Sequence, residues 1–164
     1  YAARIEPMVL VAGEISGSAD VFPLLYDDIR NCHVLLSGRD PFSTLTISDH
    51  HRRLRIEQEL REAQIRLRRA VIDSLASSES LAGVIARKLR QLRSPLRALL
   101  ALSGLAVAHE LNAVLSAAES TWGVDTSALR AHPIDPARAH EALKRLLTAT
   151  IVVVDGFGGA GGAP

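Results

Sequence analysis

Cysteine is all but missing from this chain: Cys32 stands alone among 164 residues, so no disulfide can close within it and a reducing, cytoplasmic setting is expected. Aromatic residues are scarce too, three Phe, two Tyr and one Trp. Sandwiches and barrels lean on aromatic and β-branched side chains, so this scarcity beside 48% apolar content predicts packed helices with a core of Leu, Ile, Val and Ala. No uninterrupted apolar run approaches the ~20 residues that cross a bilayer, and nothing near the start has the pattern of a signal peptide, so no membrane is expected among the partners. Lysine is nearly absent as well. Lys88 and Lys144 apart, arginine carries the positive charge.

What is present is unevenly spread. Residues 1–48 hold three arginines against six carboxylates, residues 49–100 hold twelve basic against six acidic side chains, and residues 101–164 hold four against six. A basic block lies between acidic flanks. Its richest part is "DHHRRLRIEQELREAQIRLRRA", Asp49 to Ala70, with seven arginines and four carboxylates. Such a block attracts phosphate, while flanks of opposite sign predict that much of it is compensated inside the fold.

The chain's periodicity changes near Ser48. Before it, "PMVLVAG", "VFPLLYD" and "CHVLLSG" are short apolar runs bounded by Gly, Ser and Pro, read as strands, with "SGRDPF" a turn. Pro23 has no N–H for a ladder and predicts an edge or a strand start. From Ser48 onward, Ile56, Leu60, Ala63, Leu67, Ala70 and Val71 recur at intervals of three and four, the mark of one helical face, with Ser48 or Asp49 as N-cap. A second helix starts at Ser77 or Ser78 and runs to Gly104, with Pro95 expected to kink or divide it. A third covers about Val107 to Thr121, a short helical turn follows at "DTSALRA", and the last starts at Asp135–Pro136. "TATIVVV" has strand propensity, but Leu146, Leu147, Thr150, Val153 and Val154 keep helical spacing. The expected fold is mainly α: a strand-containing segment over 1–47, a bundle of four to five helices over 48–155, and a flexible Gly-rich tail over 156–164. Three short strands do not make a stable sheet with two covered faces, so the first segment reads as the edge of a larger sheet or a ribbon on the bundle.

Two stretches carry a resemblance. Asp20, Val21, Phe22, Pro23, Leu24, Asp28 and Ile29, then His33, Val34, Leu35, Gly38, Asp40, Pro41 and Phe42, precede a helix with His51, Arg53, Leu54, Glu57, Glu59, Leu60, Arg61, Arg66, Leu67 and Arg68. This pattern, over about residues 19–72, resembles the C-terminal half of bacterial nucleotidyltransferase-domain proteins of the DNA polymerase β-like superfamily. The resemblance implies a transferase using Mg²⁺ and a nucleoside triphosphate, held by a Gly-Ser turn and an Asp-x-Asp pair whose carboxylates share one face of a strand. That pair would lie upstream of residue 1. Gly17-Ser18 and Asp27-Asp28 do not replace it, because adjacent strand residues point to opposite faces. The resemblance's strand Glu falls on Leu25 and the Lys of its arginine helix on Ala63. The chain is therefore expected to be a nucleotidyltransferase-like helical portion that is not catalytically competent as given, with no cofactor of its own. Its partner would be a missing N-terminal catalytic domain or a second copy in a homodimer. The alternative is a non-catalytic helical interaction or dimerisation module.

Within that expectation, the candidates for nucleotide contact are Asp28, at the end of the second run, and Arg53, Glu57 and Arg61 on one helical face. Each has a plainer reading. Arg53–Glu57–Arg61, Arg55–Glu59 and Glu62–Arg66 are i, i+4 neighbours, and such pairs support an exposed helix by roughly 0.2–0.5 kcal/mol each. With no aromatic residues in the block for base stacking, single-strand binding is weakened further and nucleic acid is a disfavoured partner, with non-specific nucleic-acid binding through the basic block a weaker third reading. The six histidines lack ligand spacing, and no arginine precedes any of them at the Arg-x4–6-His spacing of helical RNases. Gly156, Gly158 and Gly161 satisfy G-x-G-x-x-G only by coincidence, since no helix follows to meet a pyrophosphate.

Overall fold

In the computed structural model, residues 7–73 and 78–159 are described. Helices run over Ala12–Ile15 (α1), Pro23–Cys32 (α2), Asp49–Asp73 (α3), Ser78–Leu102 (α4), Leu111–Trp122 (α5), Ser127–Arg130 (α6) and Pro136–Gly159 (α7), with a 3₁₀ turn at Ser16–Ser18 after α1. No strand occurs among the described residues. The bundle is thus as expected, but the strand-containing segment before it is not.

"VFPLLYD" shows why. Its apolar residues are contiguous, and a run this short fits strand and helix equally well. Pro23 decides locally: with φ preset and no N–H to satisfy, it occupies the first turn of α2. Leu24 and Tyr26 then become buried on different sides of that helix, against the bundle and against a small separate cluster. "PMVLV" and "HVLL" lie outside any helix, and the turn at "SGRDPF" is present, with Gly38 at φ +85° and the Phe42 N–H donating to Asp40 Oδ1 at 2.8 Å.

The bundle helices begin and end where side chains satisfy their free backbone groups. Ser48 Oγ accepts from the His51 N–H, and Asp135 Oδ1 accepts from the N–H groups of Ala137 and Arg138. Past α4, Gly104 at φ +84° sets up paired bonds, its own N–H to the Ala101 carbonyl and that of Leu105 to the Leu100 carbonyl. Pro95 does not divide α4. The lost backbone bond is outweighed by the packing on either side, where Leu92, Leu96, Leu99 and Leu100 are all buried. At the other end of the chain, α7 continues through Gly156, Phe157 and Gly158 to Gly159. The expected tail is therefore helical for its first four residues, and 160–164 lie outside the described residues.

α3, α4 and α7 pack against one another, α5 against α4, and α6 bridges α5 and α7. The main core runs through all of them, from Ile56 and Leu60 to Leu96, Leu115, Leu143 and Leu146. Ile15, Ala19, Tyr26, Phe42, Leu45 and Ile47 form the second cluster, which holds residues 15–47 together as an arm on the bundle. Ala63 is buried in the main core, which explains a small apolar residue where the resemblance has Lys, whereas Leu25 is exposed. No described helix is long and apolar enough to cross a membrane.

Candidate functional site

The arm is tied to the bundle by charge. α2 packs across α3 and α4, and its two adjacent carboxylates, about 100° apart on the helix, reach different neighbours. Asp27 takes a two-pronged hydrogen bond from Arg52 of α3, Nε at 2.6 Å and Nη2 at 2.9 Å. Asp28 accepts from Arg97 Nη2 of α4 at 3.0 Å. Arg52 also donates to the Ile47 carbonyl and to Asp49. The bond to Asp27, ahead of the opposing cost of burial, raises the Arg52 guanidinium above its ordinary pKa. These groups, with Asn31 and Ser94, line a cleft of about 340 Å³ floored by Leu24, Ala98, Ala101 and Leu102.

Arg53, Glu57 and Arg61 are elsewhere, on the side of α3 that faces α7. Glu57 accepts from Arg53 at 3.1 Å and from Arg61 at 2.9 Å, and Arg61 continues to both oxygens of Asp155 at 2.8 and 3.0 Å. The hydrogen bond from Arg61, followed by the charges of both arginines, holds the Glu57 carboxyl below its usual range. Arg53 extends over the last turn of α7, where a Cβ on Gly158 would stand 2.9 Å from its Nη1. Cations here also meet the negative end of the α7 dipole. The atoms that a Cβ at 158 would meet belong to the flexible end of Arg53, which can swing aside, so the contact does not demand glycine at 158.

The four sequence candidates thus divide: Arg53, Glu57 and Arg61 form one chain of ion pairs, and Asp28 lies in a different cleft. Arg55–Glu59 and Glu62–Arg66 pair as their spacing predicts, at 3.0 and 2.9 Å. Sequence reasoning missed Arg52, Arg97 and Asp155. Their partners lie 25, 69 and 94 residues away, and no local spacing signals such a pairing.

The cleft does not fit a divalent cation. Asp27 and Asp28 already hold guanidinium groups, and a metal ion would enter beside two fixed positive charges. Among the described residues, no group of three or more His, Cys, Asp or Glu side chains stands close enough to share a metal ion. Two of the histidines have other partners instead: His33 meets the Ile29 carbonyl at 2.9 Å and Asp40 at 3.3 Å, and His109 lies 3.2 Å from Cys32 Sγ.

Comparison of the chain with models of protein families, with curated proteins and with solved structures finds no match.

Proposed function

We propose that this chain is the helical portion of a nucleotidyltransferase-like protein, a non-catalytic bundle that braces a nucleotide site built by other residues. The observation that carries this reading is the pair of Asp–Arg links between α2 and the helices α3 and α4. Three of their four residues lie within the stretch that bears the resemblance, and the links use its carboxylates to join arm and bundle. A bracing element needs fixed geometry; a metal centre needs free carboxylates. Asp28, Arg53, Glu57 and Arg61 are then the residues of this chain that neighbour a nucleotide, if one approaches either face.

Isothermal titration of the chain with Mg²⁺ and ATP tests the reading. No saturable heat is expected; saturable binding by the chain alone would overturn its non-catalytic part. The native reading frame supplies the second test, with Gly-Ser and Asp-x-Asp expected upstream of Tyr1.

One observation favours the alternative, an interaction or dimerisation module. The apolar helix faces are consumed by the bundle's own core, yet ten of the sixteen large apolar side chains exposed among the described residues fall in residues 8–36, Val9 at 91% and Leu36 at 94% among them. Apolar side chains left this exposed are available for contact with another surface. Light scattering over a concentration series separates the readings: a mass climbing from 17.6 kDa toward twice that value supports dimerisation, and a constant 17.6 kDa removes it.

A further inference from the structure

The two longest basic helices treat their charges differently. On α3, six of seven arginines, Arg52, Arg53, Arg55, Arg61, Arg66 and Arg69, each hold a carboxylate, and Arg68 is exposed with none among the described residues. From residue 80 to residue 109 the chain has no Asp or Glu at all, while it carries Arg87, Lys88, Arg90, Arg93 and Arg97. Of these, Arg97 is engaged by Asp28 and Lys88 donates to Gln91. Arg87, Arg90 and Arg93 are exposed, and no carboxylate among the described residues stands within ion-pair distance of them.

We propose that this outer face of α4 is a docking surface for the phosphate backbone of a nucleic-acid duplex, with Arg87, Arg90 and Arg93 as its contacts. Charge complementarity carries the assignment, on residues separate from those of the proposed function above. Each step of three residues advances about 4.5 Å along a helix axis and turns about 60° around it, so the three side chains fan over about 120° of the outer face. Phosphates on one strand of a duplex recur about every 3.4 Å of axis, so three long side chains spaced this way reach neighbouring phosphates. Positive charge gathers here. Burial, then Arg66 and Arg87, lower the Lys88 ammonium from its ordinary pKa. Glu59 and Glu62, which line a cleft together with Lys88, are taken up by Arg55 and Arg66.

The same face argues against other anionic partners. A helix that lies on an anionic membrane buries an apolar flank beside its cations, and a protein interface centres on apolar or aromatic side chains. None of the exposed large apolar residues belongs to α4. The face offers no aromatic platform for base stacking, and its proposed contacts are to phosphates, which carry no sequence information. The candidate thereby moves from the arginine helix that the sequence singled out to the helix after it.

Fluorescence anisotropy of a labelled mixed-sequence DNA duplex against the full chain tests this. Three phosphate contacts give a slope of about −2.7 in log K against log [salt], or about 40-fold weaker binding at about 200 mM than at about 50 mM KCl. The triple variant R87Q/R90Q/R93Q, checked by circular dichroism for intact helix content, should bind at least about tenfold more weakly at low salt, with the slope reduced toward zero. The variant R138Q/K144Q/R145Q removes the same charge from α7 and should keep wild-type affinity. Equal loss in both variants would reduce the effect to net charge and overturn the proposal. No duplex binding at low salt would overturn it as well, as would α4-dependent binding to phosphatidylserine-containing vesicles in place of the duplex.

Discussion

The bundle and the arm use the same chemistry at different densities. In the bundle, twenty-two buried residues from several helices form one continuous core, and every long helix contributes a stripe to it. The arm closes over six buried residues, two of them aromatic, and leaves Val9, Val34 and Leu36 in solvent. The bundle is held by apolar contact and its salt bridges decorate it; the arm's own core is small, and its attachment relies on Leu24, buried in the main core, and on two Asp–Arg pairs. An element with few buried contacts opens more readily than one with many. The molecule should therefore behave as a stable body carrying a less stable appendage.

The largest expected effect tests the body. Leu96→Ala empties a site with no solvent exposure, next to Pro95 where α4 has lost a backbone bond. It should cost about 2–5 kcal/mol and lower the single main unfolding transition, read by urea denaturation. A cost well under about 1 kcal/mol would mean that α4 is not the centre of the fold.

Tyr26→Ala tests the appendage. The ring packs between Phe22 and Phe42 and its hydroxyl meets Ser18 Oγ at 2.7 Å. Losing about 3 kcal/mol from so small a cluster should undock the arm. Amide exchange should then accelerate over 12–47 while α3 to α7 stay protected. Equal acceleration everywhere would erase the distinction between the two regions.

Arg52→Gln tests the link between them. It leaves Asp27, about one-fifth exposed, without its strongest partner, at a cost of about 1–3 kcal/mol. The loss should appear first as faster exchange in α2, and unchanged exchange there would show that the ion pair does not hold the arm.

The smallest effect belongs to Glu57→Gln. The folded chain holds the Glu57 carboxyl below its ordinary value near 4.5, chiefly through the Arg61 hydrogen bond. Its stabilisation is complete above that value and is lost as pH falls through the lowered folded one. The stability gap between wild type and variant should be under about 1 kcal/mol at neutral pH, read from urea midpoints, and should close on acidification. A gap that persists in acid would place the contribution of Glu57 in something other than its charge.

The bundle could be read from the residues because helical periodicity is local and repeated. Ile56, Leu60, Ala63 and Leu67 mark a buried face without reference to any other part of the chain, and Ser48 and Asp135 announce where helices start. The arm could not be read the same way: an apolar run as short as "VFPLLYD" does not separate a period of two from one of 3.6. In the candidate site, the Arg53–Glu57–Arg61 ladder followed from its spacing. Its extension to Asp155 did not, and neither did the pairing of Asp27 and Asp28 with arginines on two different helices.

What the sequence determined, then, is everything that depends on neighbours three or four residues away: the long helices, their caps, their buried stripes and the ion pairs along α3. Tertiary structure decided which charges are spent and which remain. A guanidinium attracts whatever carboxylate the fold brings within a few ångströms, and that distance is set by helix packing across tens of residues. Arg52, Arg61 and Arg97 were brought to partners on other helices. Arg87, Arg90 and Arg93, with the same side chain, were left facing water.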